Sequence, residues 1–205
     1  MSRPPQDPQI RINEILDVAE TMFYERGYQP TMISDIVKKV GVAQGTFYYY
    51  FSSKEELVEA LINRHLSKFL TAIDAVANST EISLPRKIEL MANIMLATIH
   101  GKQGLLLEFL YNDQYLHLMD KVFRQAKKLL APYLLLVINE GASKHVFSVS
   151  YPRAVSNSIM SIIQCYVEAI YEKEEPDILE YQKKFAKRLI ENALGLPEGE
   201  LHILI

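Results

Sequence analysis

The residues best suited to chemistry form one short run, Gln44-Gly45-Thr46-Phe47-Tyr48-Tyr49-Tyr50-Phe51. Its consecutive aromatics are too many for one side of a short helix to bury. On a helix advancing ~100° per residue and measured from Gly45, Phe47 and Phe51 lie at about 200° and 240°, and Tyr50 at about 140°. Tyr48 and Tyr49, at about 300° and 40°, point the other way with Gln44 and Gly45. Phe47 and Phe51 are thus expected as core anchors, Tyr50 as partly buried, and Tyr48 and Tyr49 as a contact surface. That surface suits recognition of nucleic acid. Glutamine can pair bidentately with adenine, threonine can touch a thymine methyl, and tyrosine can bond phosphate or stack on apolar edges. Gly45 permits close backbone approach.

The elements that position these residues read as helices. Asp7 is a good N-cap and Pro8 suits the first helical position. Ile12, Ile15, Leu16, Ala19, Met22 and Phe23 then recur at helical spacing until Gly27. Thr31 is expected to cap a short second helix with Ile33, Ile36, Val37 and Val40 inward, ended by Gly41. A third runs from Gln44 to about Phe51. Ser52 or Ser53 caps a fourth, Lys54 to about Val76, with Glu55 and Glu56 at its positive end. Two short helices joined by a tight glycine turn make a helix-turn-helix, whose second helix enters the major groove. Thr31 and Lys54, at the starts of flanking helices, suit phosphate oxygens. Spacing alone leaves open a helical hairpin whose tyrosines face another protein.

The segment "ANSTEISLPRK" marks a boundary, and beyond it the pattern predicts helices near 84–100, 103–111, 113–139, 152–173 and 177–194. The expected fold is all-α: a three-helix helix-turn-helix head (1–53), then a connecting helix and a larger helical body (54–205). The apolar tail "GLPEGELHILI" is expected to pack on a neighbour or to be disordered.

Composition excludes several classes. The chain has 205 residues, 49% hydrophobic and 23% charged, an ordinary globular make-up. No apolar run is long enough to span a membrane, and "MSRPPQDPQI" has no signal-peptide core, so a cytoplasmic location without membrane contact is expected. The single cysteine, Cys165, rules out an internal disulfide and is expected as an inert core thiol. His100, His117 and His145 lack metal-ligand spacing, so no metal or other cofactor is expected. No G-x-S-x-G, P-loop, HExxH or CxxC pattern is present, and no catalytic residue is assigned.

The block "ILDVAETMFYERGYQPTMISDIVKKVGVAQGTFYYYFSSKEELVEAL", Ile15 to Leu61, resembles the DNA-binding head of the TetR/AcrR family of bacterial transcriptional regulators. It carries Ala19, Phe23, Gly27, Tyr28 and Thr31, then Ile36, Val40, Gly41 and Val42, then "GTFYYYFSSKEEL". The resemblance implies a dimer that represses transcription from a palindromic operator on double-stranded DNA and lets go when a small molecule enters the body. It places Gln44, Gly45, Thr46, Tyr48 and Tyr49 at recognition positions and Thr31, Tyr48 and Lys54 at phosphate positions. Ser34 departs from the pattern, standing where many members carry a basic side chain. Residues 1–60 also hold six basic against nine acidic residues, so a shallow salt dependence is expected.

A homodimer is expected because one head reads only half of a turn-spaced operator, and the last two helices are the candidate interface. Val155, Ile159, Ile162, Ile163, Tyr166 and Ile170 stand on the first of them, and Ile178, Phe185, Leu189, Ile190 and Leu194 on the second; these residues could equally cover their own core. Methionines and aromatics with a few polar groups suit an adaptable small-molecule pocket. Its candidates are Met95, His100, Glu108, Tyr111, Tyr115, Met119 and Gln164. A head of the same kind answering to a protein partner is the competing reading, and a helical enzyme is the third.

Overall fold

The structure, a computed structural model, describes residues 7–97 and 116–203. All regular structure among them is helical: α1 (Pro8–Arg26), α2 (Ile33–Val40), α3 (Gln44–Tyr50), α4 (Lys54–Asn78), α5 (Leu84–Ala97), α6 (Leu116–Ser143), α7 (Pro152–Tyr171) and α8 (Pro176–Leu194). The chain forms two compact units, Met1–His65 and Leu66–Ile205. The division falls inside α4, so about three turns of that helix belong with the head.

In the head, the Asp7 carboxylate caps α1 by accepting from the Gln9 amide at 2.8 Å, with Pro8 in the first turn. Ile15, Leu16, Ala19, Met22 and Phe23 of α1, Ile36 and Val37 of α2, Phe47 of α3, and Leu57, Val58, Leu61 and Ile62 of α4 are all buried. Gly41 closes α2 in the left-handed region at φ 79°, its amide and that of Val42 both donating to the Val37 carbonyl. Of the two serines, Ser53 caps α4: its hydroxyl accepts from the Glu56 amide, while the Glu56 carboxylate accepts from the Ser52 amide and hydroxyl. The cap of α2 corrects the sequence reading. Met32 occupies that position, without a side-chain bond, and Thr31 is buried with its hydroxyl donating back to the Gly27 carbonyl at 2.8 Å.

In the body, α7 packs between α6 and α8, and α5 lies across α6 and α7. The core runs from Ile73 and Ala77 through Ile88, Met91, Leu134, Val137 and Ile138 to Ile159, Ile163, Ile190 and Leu194. Two buried charges tie it together. Lys87 Nζ donates to the Ala77 carbonyl at the end of α4 at 2.8 Å and lies 3.5 Å from Glu140. Glu191, 1% exposed, accepts from the amides of Gly199 and Leu201 at 3.1 and 3.0 Å. These bonds hold the tail, so Leu201 and Ile203 enter the core of their own chain rather than packing on a neighbour or fraying. Gly141 lies on α6 where a Cβ would come 2.0 Å from the buried Phe147 ring.

Cys165 is a second correction: it is exposed, on a face of α7 with Ala154, Ser158 and Ser161. The burial of α7 follows which side meets α6 and α8, and Ile159, Ile163 and Tyr166 take that side. The expected helix at 103–111 lies outside the described residues.

Candidate nucleic-acid interface

Helix α3 divides its aromatics as periodicity demands. Phe47 and Phe51 are 0% and 4% exposed, their ring centroids 5.6 Å apart, and Tyr50 is half-buried. Tyr48 and Tyr49 are 51% and 79% exposed. Neither outward ring is loose: Tyr48 stands edge-on to Phe47 at 5.5 Å and Tyr49 edge-on to Tyr50 at 4.9 Å. Edge-to-face packing of this kind stiffens a contact surface before any partner arrives. Gln44 and Gly45 are exposed beside them and Thr46 is half-exposed. A Cβ on Gly45 would meet nothing within 4 Å, and its backbone angles lie outside the left-handed region. Nothing within the described residues therefore requires glycine there, although glycine weakens a helix by about 1 kcal/mol relative to alanine.

The residues expected at phosphates behave differently. Gln29, Thr31, Met32, Ile33, Ser34, Gln44 and Lys54 line one open hollow of about 330 Å³, so Thr31, Gln44 and Lys54 do come together. Within it, however, Thr31 has turned its hydroxyl inward, leaving that group engaged with protein carbonyls. Lys54 Nζ donates to the carbonyl of Tyr28 at 2.5 Å and sits 3.9 Å from the centroid of that residue's ring. Burial pushes the Lys54 ammonium below its usual range, opposed by Glu55. The Tyr28 hydroxyl donates to Glu55 at 3.3 Å, and Glu55 is held below the usual carboxylate range, chiefly by its own amide. Lys54 is thus first a staple between the α1–α2 connection and the start of α4. Gln29 and exposed Met32 were missed in the sequence, and Tyr28 was read only as part of the family pattern; no local pattern marks a connection whose carbonyls collect a lysine 26 positions away.

The acidic balance of the head is also resolved locally. Arg64 of α4 pairs with Asp17 at 2.6 Å and with Glu20, and Glu20 also meets His65 Nε2 at 2.7 Å. Arg11 pairs with Glu14. These acids are spent within α1 and α4, while α3 carries no charged residue and Lys38 and Lys39 of α2 are exposed.

The body holds an apolar cavity of about 110 Å³ between α4, α5, α6 and α7. Leu66, Phe69, Met95, Phe123, Met160 and Gln164 are among its lining residues. Of the candidate pocket residues, Met95 and Gln164 both line it. His100, Glu108, Tyr111 and Tyr115 lie outside the described residues, as does the side chain of Met119. Phe69, Phe123, Lys127 and Met160 were missed, because the wall is assembled from four helices and no one of them shows it. Among the described residues no cluster of histidine, cysteine and carboxylates could hold a metal, and no helix is long and apolar enough to cross a membrane.

Comparison with known proteins matches this head. Residues 15–61 fit the model described as bacterial regulatory proteins, tetR family. An uncharacterized HTH-type transcriptional regulator, YvdT of Bacillus subtilis, is 44% identical over 69 residues, 34% of this chain and 36% of that protein. The HTH-type transcriptional repressor KstR2 of Mycobacterium tuberculosis is 36% identical over 75 residues, 35% and 38% of the two chains. The alignment thus spans little more than a third of the curated relatives' length. Likeness of fold extends further. A TetR transcription regulator from Haloarcula marismortui superposes with a TM-score of 0.71 over 90% of this chain and 98% of its own, at 22% identity. The regulator FadR from Bacillus subtilis, in complex with stearoyl-CoA, does so at 0.65 over 87% and 97%, at 20% identity. The head, residues 15–61, thus matches the tetR family of bacterial regulatory proteins, and the fold is shared with solved regulators along nearly the whole chain.

Proposed function

We propose that this protein is a dimeric, DNA-binding transcriptional regulator, a repressor released from a palindromic operator when a small molecule fills the body cavity. The observation that carries the DNA-binding reading is the α3 face: two exposed, ring-braced tyrosines beside Gln44 and a glycine with open space over it. A helix laid in the major groove presents its first residues to the base edges. Gln44, Gly45, Thr46, Tyr48 and Tyr49 take that role, Lys54 supports the phosphates from the hollow beside them, and Thr31 contributes packing there.

Dimerisation is assigned to α7 and α8. Ile178, Tyr181 and Phe185 of α8 are exposed at i, i+3 and i+7, with exposures of 43%, 73% and 63%. The exposed face of α7 is small: Ala154, Ser158, Ser161 and Cys165. Large apolar groups on one helix and small ones on the other favour close association of two copies in a four-helix seam.

The effector enters through the cavity. Solved proteins of the same fold include one in complex with stearoyl-CoA and one with triclosan, each a molecule with a large apolar part. Helix α4 starts in the head at Lys54 and supplies Leu66, Phe69 and Ile73 to the cavity wall. A ligand that prefers one arrangement of those side chains biases the helix that carries the head, and a differential affinity of ~1–3 kcal/mol between two states is typical of such coupling. The test is selection of purified protein on a random duplex pool, followed by release assays on the enriched sequence. Enrichment of an inverted repeat supports the regulator reading; no enrichment at moderate salt refutes it.

A further inference from the structure

The body cavity has a sharply uneven lining. Among its described residues twelve of the fourteen are apolar; Gln164 is the neutral polar one and Lys127 the charged one. Gln164 donates one amide hydrogen to Glu168 at 2.8 Å, which leaves its second N–H. Lys127 has no acidic partner among the described residues, and the same two turns of α6 carry Lys121, Arg124 and Lys128 exposed. Arg124 is occupied by Asp120 at 2.7 Å.

We infer that the effector is a small monocarboxylate with an apolar body, anchored by Lys127; this rests on the cavity being the effector site. Size comes first. A dry cavity of about 150 Å³ holds benzene, so the 110 Å³ here takes an apolar body of at most about a single ring or a short alkyl chain. Charge comes second. Half-buried Lys127 can keep its ammonium in water while its stem lies along the wall. A neutral ligand filling the cavity strips water from that stem and gives the ammonium nothing. A carboxylate offers a charge-assisted hydrogen bond in a place the ligand itself has made dry, where such bonds are strongest. One lysine and one amide match one carboxylate. A phosphate, with its extra charge and oxygens, calls for the forked donors of arginine, and the wall has none among the described residues.

The experiment is titration calorimetry of the full chain with matched probes: benzoate against benzyl alcohol, hexanoate against hexanol, and toluene as a neutral reporter of the cavity. The carboxylates are expected to bind about tenfold or more tighter than their alcohols, the usual scale of a hydrogen bond to a charged group. Lys127→Met, an unbranched replacement suited to helix, should bring that ratio to about one and leave toluene binding unchanged; Lys127→Arg should keep the preference. Alcohols that match carboxylates in the natural chain, or a preference that survives Lys127→Met, would overturn the inference. Toluene bound without any carboxylate binding overturns it too and leaves the cavity reading standing. If none of the probes binds, both fall.

Discussion

The ammonium of Lys54 rests 2.5 Å from the carbonyl oxygen of Tyr28 and 3.9 Å from the centroid of the same residue's ring. One side chain at the start of α4 thereby fixes the connection between α1 and α2, which sets where the helix-turn-helix begins. Replacing Lys54 with alanine removes a charged hydrogen bond and a cation–π contact, so the head should lose about 2–3 kcal/mol of stability. DNA affinity should fall alike for specific and nonspecific duplexes. Thermal denaturation alongside anisotropy titrations reads both; an unchanged melting curve would show that the staple carries no weight.

Gly45 separates packing from recognition. Alanine there meets no atom within 4 Å and gains helix propensity, so Gly45→Ala should leave the fold intact or stabilise it by up to about 1 kcal/mol. The same change should weaken specific DNA binding if DNA uses the open space over Gly45, as proposed, because the added methyl would occupy it. A variant that is more stable and binds DNA as well as the natural chain would remove the close-approach role.

The aromatic division was legible in the sequence because it depends on one helix's period. Phe47 should cost about 3–5 kcal/mol on truncation to alanine and unfold the head, whereas Tyr49→Ala should leave the melting temperature in place. Other features depend on contacts across the chain and were not legible. Thr31 reads as a cap by type, yet the extended backbone of Met32 starts α2 one residue later and the Thr31 hydroxyl is drawn to Gly27. The tail reads as loose, but its Gly199 and Leu201 amides are held by a carboxylate on Glu191. Cys165 reads as core because its helix is apolar, and it lies outside because the neighbouring helices take the opposite face.

Glu55 gives the head an acid-side signature. Its carboxyl lies below the ordinary 4.5, chiefly through its own amide, with Ser53, Tyr28 and Lys54 adding to the shift. A carboxylate whose folded value is depressed contributes stability above its unfolded value and loses it as pH falls through the folded one. Melting temperature should therefore drop below about pH 4.5, and Glu55→Gln should flatten that limb. An identical pH profile in the variant would show that other carboxylates govern acid unfolding.

Gly141 has a role in the body that its type alone hides. A Cβ there would overlap Phe147, which is 3% exposed. Gly141→Ala should destabilise the body by about 1–3 kcal/mol, and pairing it with Phe147→Leu should recover part of the loss. Denaturant unfolding of the two singles and the double measures the coupling, and strict additivity would contradict direct contact.

Dimerisation has its own test. Phe185→Glu places a charge on the exposed apolar face of α8 and should yield a folded monomer by sedimentation or light scattering, with operator affinity lost. A dimer that persists would place the seam elsewhere.

The most direct measurement is the affinity of the purified chain for an enriched inverted-repeat duplex against the same duplex with one half-site scrambled, for the natural protein and for Tyr49→Ala. The expected result is a preference of about a hundredfold for the intact repeat, reduced about tenfold or more by the substitution, the scale of losing one good base contact. Equal affinity for the two duplexes, or a preference indifferent to Tyr49, would contradict a dimer that reads DNA with α3.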